Sequence, residues 1–332
     1  MDNCRIRRIN CAMRETFRLA TFNCEHLDWS ASKADVFARR CAALRPVLDA
    51  LDADILCLQE IDAQKRHKHG PRDYLALDYL LEGGRYAGFQ RAVTRRPETG
   101  APADVHNLAI LSRWPIIATR QIHHDYAPRW DWSPPPEEDQ QPSALSISWD
   151  RPLLYAAIAA PGGLLHVINL HLRAPRPAPV VTARGKGSSR SRIEGQFVAA
   201  LKRTGQALEA RLFVETLFDA DPAARIAVCG DFNADVYETP TRLLRGGADA
   251  DTDEPRALVA LETRIAPERR HTVIHAGRHV LLDHILASSA LAASWRETQI
   301  LNDGLADEAL TEGPVEGSLH APVVVSFVAS DE

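Results

Sequence analysis

Residues 225–235 read Arg-Ile-Ala-Val-Cys-Gly-Asp-Phe-Asn-Ala-Asp. The apolar run Ile226–Cys229 stops at Gly230, and Asp231, Phe232 and Asn233 follow before the chain turns polar. Such a run predicts a buried strand that gives way to a tight turn. Gly230 suits a bend, or a close backbone approach that a Cβ would block. Open α/β sheets bind ligands beyond the carboxyl ends of their strands. Asp231 and Asn233, two positions apart, are expected to face the same way there. The acid takes a proton from water and the carboxamide fixes an oxygen. A plain strand end closed by an Asx turn has the same composition without chemistry, so the other strand ends decide.

Phe17–Asn23 largely alternates apolar and polar residues and predicts a strand ending at Asn23, Glu25 and His26. Ser32 with Asp35 resembles a capping box. Leu44, Val47, Leu48 and Leu51 recur at helical spacing, and Pro46 is expected to kink that helix or confine it to its last turns. Asp54–Glu60 predicts a second buried strand, again ending in a carboxylate. Two strands around a helix make a β-α-β unit and hence an α/β fold. Further strands are expected at 86–94, 107–112, 143–149, 153–160 and 164–170, with a hairpin at Pro161-Gly162-Gly163. Short and long helices are expected at 74–81 and 193–218, the latter with Phe197, Leu201, Leu208 and Leu212 on one stripe. Residues 128–142, with five prolines and two tryptophans, predict an irregular surface loop. His279–Leu286 reads as a strand carrying Asp283 and His284, and Pro322–Val328 as the last one, preceded by Ser318-Leu319-His320. Residues 1–16 read as a poorly ordered leader and 17–329 as one catalytic domain.

With 332 residues, 45% hydrophobic and 25% charged, the chain has the composition of a soluble globular protein. Its net charge of -5 excludes a global basic field for nucleic acid or anionic membrane, so any such attraction is local. No run approaches the ~18 apolar residues of a transmembrane helix, and the N-terminus lacks the apolar centre of a signal peptide. Six cysteines without a CxxC pair read as reduced thiols of a cytoplasmic protein. No obligate protein partner is evident. Local positive charge does exist: 173–192, just past the strand end at His171, holds six basic residues and no acid. Arg173, Arg176, Arg184 and Lys186 there are candidate phosphate contacts.

Asn23 with Glu25, Glu60, His171, Asp231 with Asn233, Asp283 and His320 thus all fall at or near strand ends. Hard carboxylate oxygens with an Asn carbonyl suit Mg2+ or Mn2+. Two histidines and a cation suit a phosphate ester, whose reaction concentrates negative charge on oxygen.

The ordered segments TFNCE, LCLQE, NLAILSRWPI, INLHL, CGDFNAD, LLDHIL and SLHAPV resemble the endonuclease/exonuclease/phosphatase superfamily, over about Phe17 to Phe327. The resemblance implies a four-layered α/β sandwich, two mixed sheets face to face with helices on both outer faces, and Mg2+-dependent phosphoester hydrolysis. It implies Glu60 as the principal metal ligand, with Asn23 and Glu25 beside it. It implies Asp231 as activator of the attacking water, Asn233 as its orienter or that of the phosphate, and His171 at the scissile phosphate. His320 would stabilise the transition state or assist the leaving group, with Asp283 holding its ring. The substrate would be nucleic acid, or a phosphorylated small molecule or lipid. One departure stands out: Leu319 occupies the position where the family usually has Asp. Asp303 or Glu316 would have to substitute, or Glu25 and Glu60 suffice. Otherwise the chain would be a weakly active or noncatalytic phosphate-binding protein. Arg113 and Trp114 read as structural.

Overall fold

Alternation along the strands sets the layers. In the strand Ile55–Ile61, Ile55 and Cys57 point one way and Leu56 and Leu58 the other, and all four are buried. A strand that is apolar on both faces needs cover on both. Ile55 and Cys57 join one core with Leu154, Ala156, Leu165, Val167, Ala227 and Cys229. Leu56 and Leu58 join another with Phe37, Cys41, Leu44 and Leu48 of the helix Ala34–Leu51. On the far side, Ile226 and Val228 meet Ala207, Ala210, Phe213 and Val214 of the helix Ser189–Ala220. The computed structural model, which describes residues 16–133, 145–179, 188–246, 254–313 and 315–329, is therefore helix on sheet on sheet on helix, the four-layered sandwich expected.

Each large sheet has six strands. One runs in the order Trp295–Ile300, Val323–Val328, Thr16–Leu27, Ile55–Ile61, Asn107–Ser112, Gln90–Val93. The other runs Leu258–Ala260, Asp283–Ser288, Arg225–Asp231, Gly163–His171, Leu153–Ala160, Ile116–Ile122. Each contains a parallel pair near its centre: Thr16–Leu27 with Ile55–Ile61, and Gly163–His171 with Arg225–Asp231. Parallel strands finish at the same edge, so their polar ends gather. His171 lies opposite Asp231, and the antiparallel neighbour begins there with Asp283 opposite Asp231. Asn23 lies opposite Gln59.

Gly230 is required twice over. Its φ is +141°, in the region that favours glycine, and a Cβ there would stand 1.8 Å from the carbonyl oxygen of Leu170.

Several local expectations change. Pro46 does not interrupt its helix, which is continuous over Ala34–Leu51. Pro46 and Ala42 both lie on the exposed side, where the carbonyl freed by the proline reaches water. The Ser32–Asp35 capping box does not form: a short 3-10 turn, Ala31–Lys33, intervenes and Ser32 pairs with the Ser30 hydroxyl instead. Residues 85–88 are also a 3-10 turn, pinned where the Tyr86 hydroxyl donates to Leu48 O at 3.0 Å, so the strand begins at Gln90. The stripe Phe197-Leu201-Leu208-Leu212 is not the buried face of the long helix, and Phe197 is 46% exposed. Ala207, Ala210, Phe213, Val214 and Phe218 take that face, while Phe197, Leu201 and Leu208 border the tryptophans. Of the 128–142 segment, residues 134–142 lie outside the described residues, and Trp130–Trp132 forms a short strand paired with Leu145–Ile147. Trp149 packs on Gly205 and donates to buried Glu209 at 2.5 Å. His279–Leu286 is broken, because Arg278–Val280 folds back on Val273–His275 and Thr272 Oγ1 takes the N–H groups of Leu282 and Asp283. The strand Ile116–Ile122 had no counterpart in the sequence reading. Residues 1–15, Cys4, Cys11, Arg184 and Lys186 lie outside the described residues.

Gly230→Ala is expected to destabilise the fold by about 3 kcal/mol or more, because a left-handed φ and a backbone clash coincide. Chemical denaturation measures this; a loss below about 1 kcal/mol would show that the two strands can separate freely at this point.

Candidate active site

The site is the edge where both parallel pairs end. Asn23, at the end of one sheet, reaches across to the other: its amide donates to Asp231 Oδ2 at 2.9 Å and to Glu60 Oε1 at 3.3 Å. Asn23 Oδ1 accepts the Glu25 N–H at 2.9 Å, which fixes the orientation of the carboxamide. Asp231 Oδ1 accepts the main-chain N–H of Asn233 at 2.8 Å. Asn233 thus orients the acid through its backbone, while its side-chain amide donates to Leu172 O at 3.1 Å. Asn233 has a φ of +48°, and Glu60 one of +58°. Strained backbone of this kind gathers at functional sites.

Asp231 is 2% exposed. Burial, then the nearby Asp283 carboxylate, push its carboxyl up to about 7, against the pull of His320 and the Asn233 N–H. His320 Nδ1 lies 2.8 Å from Asp283 Oδ2. Burial opposes charge on that ring, but the Asp283 carboxylate outweighs it and raises the imidazole to about 10. His320 is therefore an imidazolium at neutral pH, a charged ring beside Asp231.

His171 has the opposite character. Burial, then the charge of Arg151, hold it well below the usual imidazole range, so it is neutral. Arg151 Nη1 donates to His171 Nδ1 at 2.7 Å. The hydrogen-bond network thereby assigns the proton to Nε2, which stands 3.4 Å from Asp231 Oδ2 and 3.8 Å from Glu60 Oε1. The two histidines are thus donors of different kinds, one neutral and one charged.

Glu25 is directed elsewhere. Its Oε2 accepts from Ser318 Oγ at 3.3 Å and from the Leu319 N–H, so it fastens the segment that carries His320. Neither Asp303 nor Glu316 stands in for the acid missing at 319: they are 86% and 61% exposed and pair with Arg269 and Arg39. Arg113 bonds Asp54 at 3.1 Å and Trp114 packs on Phe17, the structural roles expected. Of the basic loop, Arg173 is paired with Asp150 at 3.1 Å, while Arg176 is 82% exposed with Glu308 at 3.4 Å. Buried His284, next to Asp283, bonds Glu262 and Ala234 O and so anchors the turn after Asp231.

Asp62, His106 and Arg151 went unmarked in the sequence, and His26 was noted at its strand end without a role. His26 Nδ1 is 3.4 Å from Asp62 Oδ2, and both His26 and His106 approach Glu60. Asp62 had a signal, because it follows Glu60 by two positions on a strand. His106 opens a strand antiparallel to Ile55–Ile61, which places it at that strand's carboxyl end once the pairing is known. Arg151 has no local signal.

Two of the three groups of ligand-type side chains, Glu60–His171–Asp231 and Asp231–Asp283–His320, have donor atoms within 4.8 Å of one another and share Asp231. The carboxylate oxygens of Glu60 and Asp231 fit a hard divalent cation, whereas Asn23, expected as a ligand, turns its oxygen to the Glu25 N–H and its NH2 group to both carboxylates.

A model of the endonuclease/exonuclease/phosphatase family matches residues 20–331. No curated protein matches the sequence. Among solved structures, truncated TDP2 of Caenorhabditis elegans aligns with a TM-score of 0.55 at 14% identity, over 95% of this chain and 98% of that one. An AP endonuclease from Archaeoglobus fulgidus gives 0.52 at 17%, over 94% and 99%. The mannosyl-6-phosphatase of Bacteroides thetaiotaomicron gives 0.55 at 16%, over 93% and 98%. The chain belongs to the endonuclease/exonuclease/phosphatase family.

Asp283→Asn is expected to lower the His320 imidazole from about 10 toward its ordinary 6.5, as followed by NMR titration of the ring. An unchanged value would sever His320 from Asp283. The sign for stability follows. Because the folded value is raised, the pair stabilises fully below 6.5 and loses this contribution as pH rises through about 10.

Proposed function

We propose that this member of the endonuclease/exonuclease/phosphatase family hydrolyses phosphoesters with a divalent cation, Mg2+ or Mn2+, and that Asp231 is the base. The observation that carries the reading is the setting of Asp231. It is a buried carboxyl held near neutrality, fixed on one oxygen by Asn23 and on the other by the Asn233 N–H. A base works best when its pKa lies near the working pH. Water attacks phosphorus and passes its proton to Asp231, while the bond to the leaving oxygen breaks and His320 Nε2 donates its proton to that oxygen. His171 Nε2–H donates to a nonbridging oxygen, its tautomer fixed by Arg151. Glu60 would hold the cation, which supplies positive charge for the phosphoryl oxygens, while the Asn23 amide orients Glu60 and Asp231. Glu25 serves by positioning: it ties down Ser318 and Leu319, and a leucine at 319 then leaves Glu60 and Asp231 as the acids of the site.

Residues 17–329 act as one catalytic domain on this reading, since the first sheet takes strands from both chain ends. Among the described residues the cysteines are buried and unpaired, which supports a reducing, cytoplasmic setting. No helix among the described residues is long and apolar enough to cross a membrane. A phosphodiester of nucleic acid is the favoured substrate, supported by exposed Arg176 and by Arg173, Arg184 and Lys186 in the basic stretch that follows His171 in sequence. A phosphorylated small molecule or lipid headgroup is the alternative. Binding that weakens steeply with salt identifies the former.

The test is hydrolysis of bis-p-nitrophenyl phosphate. Turnover is expected to require Mg2+ or Mn2+ and to fall by about 10²- to 10⁴-fold in Asp231→Asn. Metal-independent turnover, or a variant as active as the wild type, would overturn the assignment.

A further inference from the structure

The Glu60 carboxylate has two sides. Oε1 faces Asn23 and His171, toward Asp231. Oε2 accepts the His26 N–H at 3.1 Å and meets two imidazoles that the hydrolytic mechanism leaves unused: His26 Nε2 at 3.6 Å and His106 Nδ1 at 3.8 Å. The two rings stand 4.6 Å apart at 53°. Ligands around a tetrahedral cation, each about 2.1 Å from it, lie about 3.4 Å from one another. The observed separations from Glu60 are within a few tenths of an ångström of that, and the three donor atoms all fall within 4.8 Å.

The surroundings have the form of a metal site as well. Asp62 ties the two histidine segments together: its Oδ2 lies 3.4 Å from the His26 ring Nδ1, and its Oδ1 accepts the His106 main-chain N–H at 2.9 Å. A carboxylate on the distal nitrogen, as at His26, is the usual way to fix the tautomer and orientation of a metal-bound imidazole. His106 Nδ1 is buried and has no hydrogen-bond partner. Buried ring nitrogens ordinarily find one, so this one has a lone pair or proton without a use in the protein itself. His26, Glu60 and His106 all have left-handed backbone, with φ of +52°, +58° and +58°. Three strained, non-glycine residues that converge on one point are costly unless the point has a function.

We infer that His26, His106 and Glu60 form a second cation site, selective for an imidazole-seeking transition metal such as Zn2+ or Co2+, with Glu60 shared between it and the phosphoester site. Two imidazoles with one carboxylate favour such ions over Mg2+, which prefers oxygen alone. The inference rests on the proposed hydrolase only for the shared role of Glu60.

The probe is Co2+ itself, titrated into the full chain freed of metal and followed by visible absorption and calorimetry. Wild type is expected to bind Co2+ with the absorption of an imidazole-ligated ion. His26→Ala and His106→Gln should each weaken it roughly tenfold or more, and Asp62→Asn about 10- to 100-fold, with Asp231→Asn keeping the band. Circular dichroism identifies any variant that fails to fold, and the remaining histidine variant then decides. Wild type without such a band, or folded histidine variants that match it in affinity and spectrum, would overturn the site. The readout is independent of turnover, so a protein inactive toward every ester still passes or fails this test on its own.

Discussion

The structure turns on one hydrogen bond between its two sheets. Asn23 ends a strand of one sheet and Asp231 a strand of the other, 208 residues away in sequence, and their side chains meet at 2.9 Å. Deeper in the sandwich, Gln59 donates to Asn169 at 2.7 Å, and Asn169 donates to the carbonyls of Leu58 and Ala109 across the same interface. Polar groups in an apolar core must be satisfied or they destabilise it by about 1–3 kcal/mol each. These pairs therefore admit one register between the sheets. A slide of one sheet past the other would leave several buried amides unpartnered, while the apolar contacts between the sheets are far less particular. The register that satisfies Asn169 is also the one that brings Asn23 to Asp231.

Charge is distributed within that frame so that neighbours differ. Asp231, Asp283 and Glu60 crowd together but differ in their settings. Asp283 is matched by the His320 imidazolium, while the Asn23 amide is shared by Glu60 and Asp231, which add the main-chain N–H groups of His26 and Asn233 respectively. Asp231 is buried beside another carboxylate, and burial and then Asp283 push its carboxyl up toward neutrality. Arg151 works in the reverse sense. Burial first and then the Arg151 charge keep the His171 ring neutral, and the Arg151 hydrogen bond to Nδ1 turns the Nε2–H to the site. Two histidines of identical chemistry thus become a charged and an uncharged donor.

Much of this was legible in the chain. The CGDFN stretch announced a strand with an acid at its end and a bend or close backbone approach at Gly230; the strand and acid are present, and of the two roles the close approach is the one Gly230 fills, inside a strand that runs on to Asp231. Two strands around a helix foretold an α/β fold, and the sandwich implied by the family resemblance is present, with Ile55–Leu58 covered on both faces. What stayed hidden is what pairing creates. Asn107–Ser112 runs antiparallel to Ile55–Ile61, so His106 arrives beside Glu60 from a loop with no motif of its own. Arg151 sits ahead of the Leu153–Ala160 strand in a stretch that reads as a plain connection, and only the sheet order aims it at His171. Local signals misled where burial overrode them. Pro46 is tolerated because it faces water, and the leucine stripe of the long helix gives way to Ala207, Ala210, Phe213, Val214 and Phe218 on the buried face.

A double-mutant cycle on Asn23→Ala and Asp231→Asn, read as metal-dependent kcat/KM, bears most directly on the claim that the inter-sheet bond sets up the base. If Asn23 acts through Asp231, the pair couples strongly: once Asp231 is changed, removing Asn23 costs little more, with a coupling energy of roughly 1–3 kcal/mol. Effects that simply add would mean that Asp231 is held without Asn23, and that the meeting of the two sheets at this point is incidental to the chemistry.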